Sequence, residues 1–126
     1  MPKQIAKPKP VVQYLTIPPG WEPFAIDMVL EWHERPFFAC YVNHSLGVQF
    51  IASRRQRALP FLHASVVPAF KLNGDLEPMV IRKWVAEHAD TLVEAFFPGR
   101  IFVRQREDPR NTEMRHYYHI IDGEME

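Results

Sequence analysis

Hydrophobic residues between positions 76 and 97 recur every three or four residues, and this spacing predicts one long amphipathic helix. Pro78 suits its first turn, where a missing N–H costs nothing, and Pro98 and Gly99 favour termination. The predicted buried stripe consists of Ile81, Trp84, Val85, His88, Leu92, Ala95 and Phe96. A helix of this length is marginally stable alone in water, so we expect the stripe to pack on another layer.

Short runs of alternating or continuous apolar residues elsewhere predict β-strands separated by turns. The predicted strands cover residues 24–32, 37–42, 48–52, 61–67, 100–106 and 114–121, with an extra edge strand at 11–17. Strands joined by short turns pair antiparallel. We therefore predict an α+β fold, in which one long helix (about 76–97) packs on an antiparallel sheet of about five to seven strands whose order stays open. The expected helix-facing layer of the sheet is Phe24, Ile26, Met28, Leu30, Phe38, Val42, Phe50 and Val103.

The chain has 126 residues, which suggests one domain with a sizeable core. Residues 1–10 contain three lysines and three prolines, a composition that favours neither helix nor strand. We expect a flexible basic, proline-rich tail at 1–10 and a single α+β domain at 11–126.

Charge and cysteine content narrow the environment in which the protein works. Fifteen basic and 15 acidic residues leave a formal net charge of zero, so no overall field favours nucleic acid or membrane. Cys40 is the only cysteine, which excludes an internal disulfide and suits a reducing compartment. There is neither a long apolar run nor a signal-peptide pattern, and we expect a cytoplasmic protein that does not bind membranes.

The common catalytic motifs are absent, since the sequence has no GxGxxG, GxxxxGK, HExxH or CxxC pattern. His116 and His119 are three residues apart, and such residues point to opposite sides of a strand. Cys40 lies within an apolar strand, where a thiol is usually inert. We therefore expect no metal and no cofactor. Whether the chain is an enzyme stays open, and the absence of these motifs favours a non-enzymatic protein.

Arginine is the remaining chemical signal. The candidate binding residues are Arg54, Arg55, Arg57, Arg104, Arg106, Arg115 and Tyr117. Guanidinium groups bind phosphate through paired N–H donors, and a tyrosine ring stacks on a base. If the register of the last hairpin places these groups on one face, they predict an RNA-binding protein or a small metal-independent ribonuclease. In that reading His119, His116 and Tyr117 are the candidate catalytic residues. The competing interpretation is a sheet face on which arginines pair with acids and stay solvated.

Aromatic residues are numerous for one helix and one sheet face, so some are expected at the surface. Exposed aromatic and arginine side chains together are typical of protein–protein contacts. The first hypothesis is therefore a non-enzymatic interaction protein with an unidentified protein partner, and a homodimer or a nucleic acid stays open as the partner. In size and architecture the chain resembles small accessory proteins of bacteria and phages, such as immunity proteins, antitoxins and inhibitors. This resemblance assigns no residue.

Overall fold

The computed structural model describes residues 11–24, 38–54, 62–105 and 115–121. The predicted tail, most of the predicted strand at 24–32, and Arg55, Arg57 and Arg106 lie outside these residues. The elements are a 3₁₀ helix at Val11–Tyr14, β1 (Glu22–Pro23), β2 (Phe38–Asn43), β3 (Val48–Arg54), β4 (Leu62–Pro68), a 3₁₀ turn at Phe70–Leu72, helix α1 (Pro78–Phe96), β5 (Phe102–Arg104) and β6 (His116–Ile120).

The described strands form one antiparallel sheet in the order β1-β2-β3-β4-β6-β5. Among the described elements, helix α1 covers one of its faces, which confirms the predicted α+β class. The strand predicted at 11–17 is wrong, because this segment starts with a 3₁₀ helix. Val11 and Tyr14 are buried in the core instead of pairing at an edge, so tertiary packing outweighs the β propensity of the segment.

Helix α1 begins and ends close to the predicted positions. Pro78 occupies the first turn, and Gly99, with a φ of 75°, follows the last turn. The buried stripe contains Ile81, Val85, Ala89, Leu92, Val93 and Phe96. Trp84, His88 and Ala95 are only half-buried at its margin. The observed stripe keeps Ile81, Val85, Leu92 and Phe96 of the predicted one and includes Ala89 and Val93, which the prediction left out.

An aromatic cluster joins the helix to the sheet. The Phe96 ring stacks on the Phe50 ring at 3.8 Å between centroids, and the Trp21 ring meets it edge-on at 5.1 Å. Tyr41 completes the contact at 5.7 Å from Phe96. These rings are almost fully removed from water, so much of the hydrophobic stabilisation is concentrated around Phe96.

The register of the sheet corrects the predicted helix-facing layer. Phe50 faces α1 as predicted, and its partner Tyr41 places the odd-numbered residues of β2 on that face. Val42 therefore points to the opposite face, and so does Val103, which is 46% exposed. The side chains of Phe38 and residues 26, 28 and 30 lie outside the described structure. The predictions at Val42 and Val103 are wrong because a shift of one residue inverts the two faces of a strand.

We call the sheet side opposite α1 the far face. Cys40, Val42, Ser65 and Val67 form its centre and are all buried. No helix within the described residues is long and apolar enough to cross a lipid bilayer.

Candidate interaction surface

The last hairpin has two different faces. Arg104 is paired with Tyr118 in the register of β5 and β6, so Arg104 lies on the helix side of the sheet. Arg115, Tyr117 and His119 alternate with Tyr118 and lie on the far face. The register therefore separates Arg104 from the other predicted binding residues. The side chain of Arg54 lies outside the described structure, like Arg55, Arg57 and Arg106. Of the predicted binding residues, the described far face holds Arg115 and Tyr117.

Arg115 is held by two contacts on the far face. Its Nη1 donates a hydrogen bond to the Ser65 hydroxyl at 3.2 Å, and its guanidinium lies 5.9 Å from the centre of the Tyr117 ring. Ser65 is the cross-strand partner of Tyr117, so β4 and β6 together position this group. Tyr117 itself is 49% exposed and can contact a partner.

The candidate catalytic histidines are also divided by the register. His116 is buried on the helix side, where the Arg104 guanidinium is hydrogen-bonded to its Nδ1. Since arginine only donates, Nδ1 must accept, and this contact favours the neutral ring with its proton on Nε2. His119 lies on the far face and stacks on His63 at 5.2 Å between ring centres. His116 and His119 thus cannot serve one reaction centre as an acid–base pair.

Sequence reasoning missed His63, the cross-strand partner of His119. The alternation of the strand at 62–68 would place His63 and Ser65 on one side, but nothing local indicates that β6 pairs with β4. The partner strand is selected by long-range pairing, which a single sequence does not display.

The thiol of Cys40 lies buried at the centre of the far face. Its Sγ accepts a hydrogen bond from Gln49 Nε2 at 2.9 Å. Burial raises the pKa of this thiol above its ordinary value, although the Gln49 bond and the Arg115 charge act in the opposite direction. A buried, protonated thiol is a poor nucleophile. Within the described residues, no three potential metal-ligating side chains of His, Cys, Asp or Glu come together.

Aliphatic side chains are exposed at the far-face end of the hairpin. Ile101 is 62% exposed, Val103 46% and Ile121 48%. Ile101 accepts a backbone hydrogen bond from Ile121, and Val103 is paired with His119, so all of them lie on the same face as Tyr117. We call Ile101, Val103, Tyr117 and Ile121 the edge surface. Single exposed apolar residues are ordinary, whereas a contiguous group indicates a contact site.

The sequence pattern predicts Val103 in the helix-facing layer and therefore does not predict this surface. Ile101 and Val103 alternate with Phe102, which made either face of the strand a candidate for the core. The structure buries the Phe102 side chain partly against Tyr118, with ring centres 5.7 Å apart, and leaves the aliphatic side chains exposed.

Comparisons of the chain with protein-family models, with curated proteins and with solved structures returned no match.

Proposed function

We propose that the protein is a non-enzymatic interaction protein that binds a second protein chain at the edge surface. The observation that carries this proposal is the group of exposed aliphatic side chains, Ile101, Val103 and Ile121, beside the terminal strand of the sheet. Tyr117, which lies two residues before the Val103 partner His119 on the same face, carries Arg115 against its ring, and both residue types are enriched in protein interfaces. Burying these side chains against a partner would remove apolar area from water.

The backbone of β5 adds a second reason. Gln105 N–H donates to Tyr117 C=O, and Ile121 N–H donates to Ile101 C=O, each at 2.8 Å. In an antiparallel ladder alternate residues bond to the same neighbour, so the N–H and C=O groups of Phe102 and Arg104 point away from β6. No described strand pairs with that side of β5. An added strand would satisfy these groups, a common mode of protein recognition.

A second copy of the chain is the partner that this edge favours. If two β5 strands pair antiparallel around Val103, Phe102 of one protomer lies opposite Arg104 of its partner. This is the register in which the outward-pointing backbone groups of both strands meet. It places the Val103 side chains together and sets no like charges directly opposite each other. The zero net charge of the chain adds no overall repulsion.

The test is a concentration series of the purified chain, measured by light scattering and by amide hydrogen exchange. We expect mass to rise toward the dimer and the Phe102 and Arg104 amides to become protected as concentration increases. Val103→Lys should return the chain to a monomer, because it places two ammonium groups against each other at the centre of the interface. Val80→Lys is the matched control, since Val80 is 53% exposed on α1.

Two results together would contradict the proposal. The chain would be monomeric at every concentration, and the immobilised chain would bind no host protein whose binding is lost in Val103→Lys. Equal behaviour of Val103→Lys and Val80→Lys would remove the edge surface from the interface. Circular dichroism shows whether the Val103→Lys variant is folded. If it is not, Val103→Thr replaces it, because this substitution reduces the apolar area of the edge surface without adding a charge.

An RNA-binding protein or metal-independent ribonuclease is the second candidate. The shared face of Arg115, Tyr117 and His119 supports it, whereas the position of Arg104 on the opposite side weakens it. In this reading Arg115→Ala reduces salt-sensitive RNA binding and Arg104→Ala does not. Uncut RNA and unchanged affinity in Arg115→Ala would exclude it.

We also propose that the protein works in the cytoplasm. The support is its single cysteine, Cys40, which is buried and not in a disulfide.

A further inference from the structure

A second candidate site lies away from the edge surface, at the turn between β4 and α1. It is a cavity of about 480 Å³, within the range of about 300–1,000 Å³ that is usual for small-molecule sites. Its apolar walls are formed by Phe24, Val67, Pro68, Phe70 and Leu72. The 3₁₀ turn Phe70–Leu72 is hydrogen-bonded to itself, with Leu72 N–H donating to Ala69 C=O at 2.8 Å. The apolar walls are therefore carried by a defined turn and by the end of a strand.

The polar groups at this cavity are positive or neutral. Lys71, Arg82 and Arg115 line it together with Gln49, and none of its described lining residues is acidic. This composition differs from that of the whole chain, which has equal numbers of acidic and basic residues. A cluster of one sign around a partly enclosed apolar volume attracts a ligand of the opposite sign.

The cations are positioned by different elements. The Arg82 guanidinium, on the second turn of α1, lies 5.5 Å from the centre of the Phe70 ring. Arg115 reaches the cavity from the start of β6 and is held by Ser65. Lys71 is exposed on the 3₁₀ turn, and no carboxylate among the described residues forms a salt bridge with Lys71 or Arg82. The Lys71 and Arg82 side chains can thus meet the charged group of a ligand at the mouth of the cavity.

We propose that this cavity binds a small organic anion with an apolar body, which lies against Phe70 and Val67 while its charged group meets Arg82 and Lys71. Guanidinium and ammonium groups bind both carboxylates and phosphates, so the shared chemistry is a monoanionic or dianionic head on a hydrophobic body. None of the four residues of the edge surface lines this cavity, although Arg115 borders both the cavity and Tyr117. The proposal does not depend on the protein-interaction proposal.

The experiment is a titration of the ¹⁵N-labelled chain, followed by NMR, with 2-naphthoate and 2-naphthyl phosphate as probes. Neutral 2-naphthalenemethanol and cationic 2-naphthylmethylammonium share the same ring system and serve as controls. We expect the anions to bind about tenfold more tightly than the neutral probe, the effect of one charge-assisted contact. The amides of Gln49, Ala69 and Leu72 should shift, and those of Val103 and Ile121 should not. The tighter of the two anions identifies the head group.

Charge-removing variants connect the binding to these residues. Lys71→Gln and Arg82→Gln should each weaken binding of the preferred anion several-fold. Lys83→Gln and Arg100→Gln are the matched controls, because neither residue is among those lining the cavity. If Arg82→Gln disturbs the turn, the exposed Lys71→Gln variant still reports the contribution of charge.

Three results would overturn the proposal. These are equal affinity for the anionic, neutral and cationic probes, shifts centred on the edge surface, or equal binding by Lys71→Gln and Lys83→Gln. Val103→Lys should leave naphthoate binding unchanged, so failure of this site and failure of the interaction surface are observed separately.

Discussion

Tyr118 is the residue that ties the last strand to the helix. Its side chain is completely buried and its hydroxyl donates a hydrogen bond to the Asp90 carboxylate on α1. Burial, followed by this hydrogen bond and the negative charge of Asp90, raises the pKa of the Tyr118 phenol above its ordinary value. The neighbouring Tyr117 points to the opposite face and is half exposed. Two adjacent tyrosines thus have different roles, one in stability and one at the surface.

Replacing Tyr118 by Phe should lower the free energy of unfolding by about 1–2 kcal/mol, because it removes a hydrogen bond to a charged acceptor and keeps the ring. Tyr117→Phe is the matched control and should change it by less than about 0.5 kcal/mol. Urea unfolding at neutral pH measures both values. Equal losses in the two variants would show that the Asp90 contact contributes little.

At the scale of elements, the β2–β3 turn and α1 depend on each other. Gly47 ends the turn with a φ of 68°, and a Cβ added there would lie 2.8 Å from Ile81 Cδ1. Asn43 supports the same turn by accepting a hydrogen bond from Leu46 N–H at 3.0 Å. Glycine is therefore required at residue 47 both by the backbone conformation and by the close approach of the helix.

Gly47→Ala should destabilise the protein by about 1–3 kcal/mol through left-handed strain and displacement of Ile81. The control is Gly74→Ala, where an added Cβ has no neighbour within 4 Å and φ lies outside the left-handed region. There we expect little change or a gain of about 0.5 kcal/mol from the reduced entropy of the unfolded chain. Thermal unfolding of the two variants compares them, and similar melting temperatures would contradict the close contact at Ile81.

For the whole molecule, buried groups that retain their protons make the stability of the fold depend on alkaline pH. Burial raises the pKa of Cys40 above its ordinary value of 9.0, and burial also raises that of Tyr41 above 10.0. The folded protein therefore keeps these protons at a pH at which the unfolded chain releases them. The unfolded state then binds fewer protons, and stability falls as pH rises.

We expect the free energy of unfolding to be nearly independent of these groups below about pH 8 and to decrease as pH rises through about 9 to 11. Cys40→Ala should flatten the earlier part of this decrease and Tyr41→Phe the later part. Urea unfolding at a series of pH values measures the slopes. Parallel slopes in wild type and both variants would show that neither group causes the alkaline loss.

The candidate site was only partly predictable. Alternation along 115–119 correctly placed Arg115, Tyr117 and His119 on one face, because side-chain direction in a strand is local. It could not place Arg104, since the relative register of two strands depends on a turn and on pairing across the sheet. The cavity was not predictable, because its walls come from segments as distant as Gln49, Leu72 and Arg115.

The sequence alone determined the features that depend on neighbouring residues. These are the position of α1 between Pro78 and Gly99, the succession of short strands and turns, and the α+β class. Their signals are periodicities of 3.6 and 2 residues and the restricted backbone angles of proline and glycine.

Only the tertiary structure decided that β6 lies between β4 and β5, which makes β5 the terminal strand among those described. This order exposes Ile101, Val103 and Ile121 and encloses the cavity beside Phe70. The physical reason is that strand order and register arise from contacts between residues far apart in the chain. The alternation of residues along a strand shows which side chains share a face. It does not show which of the two faces is buried, because that depends on pairing with distant strands.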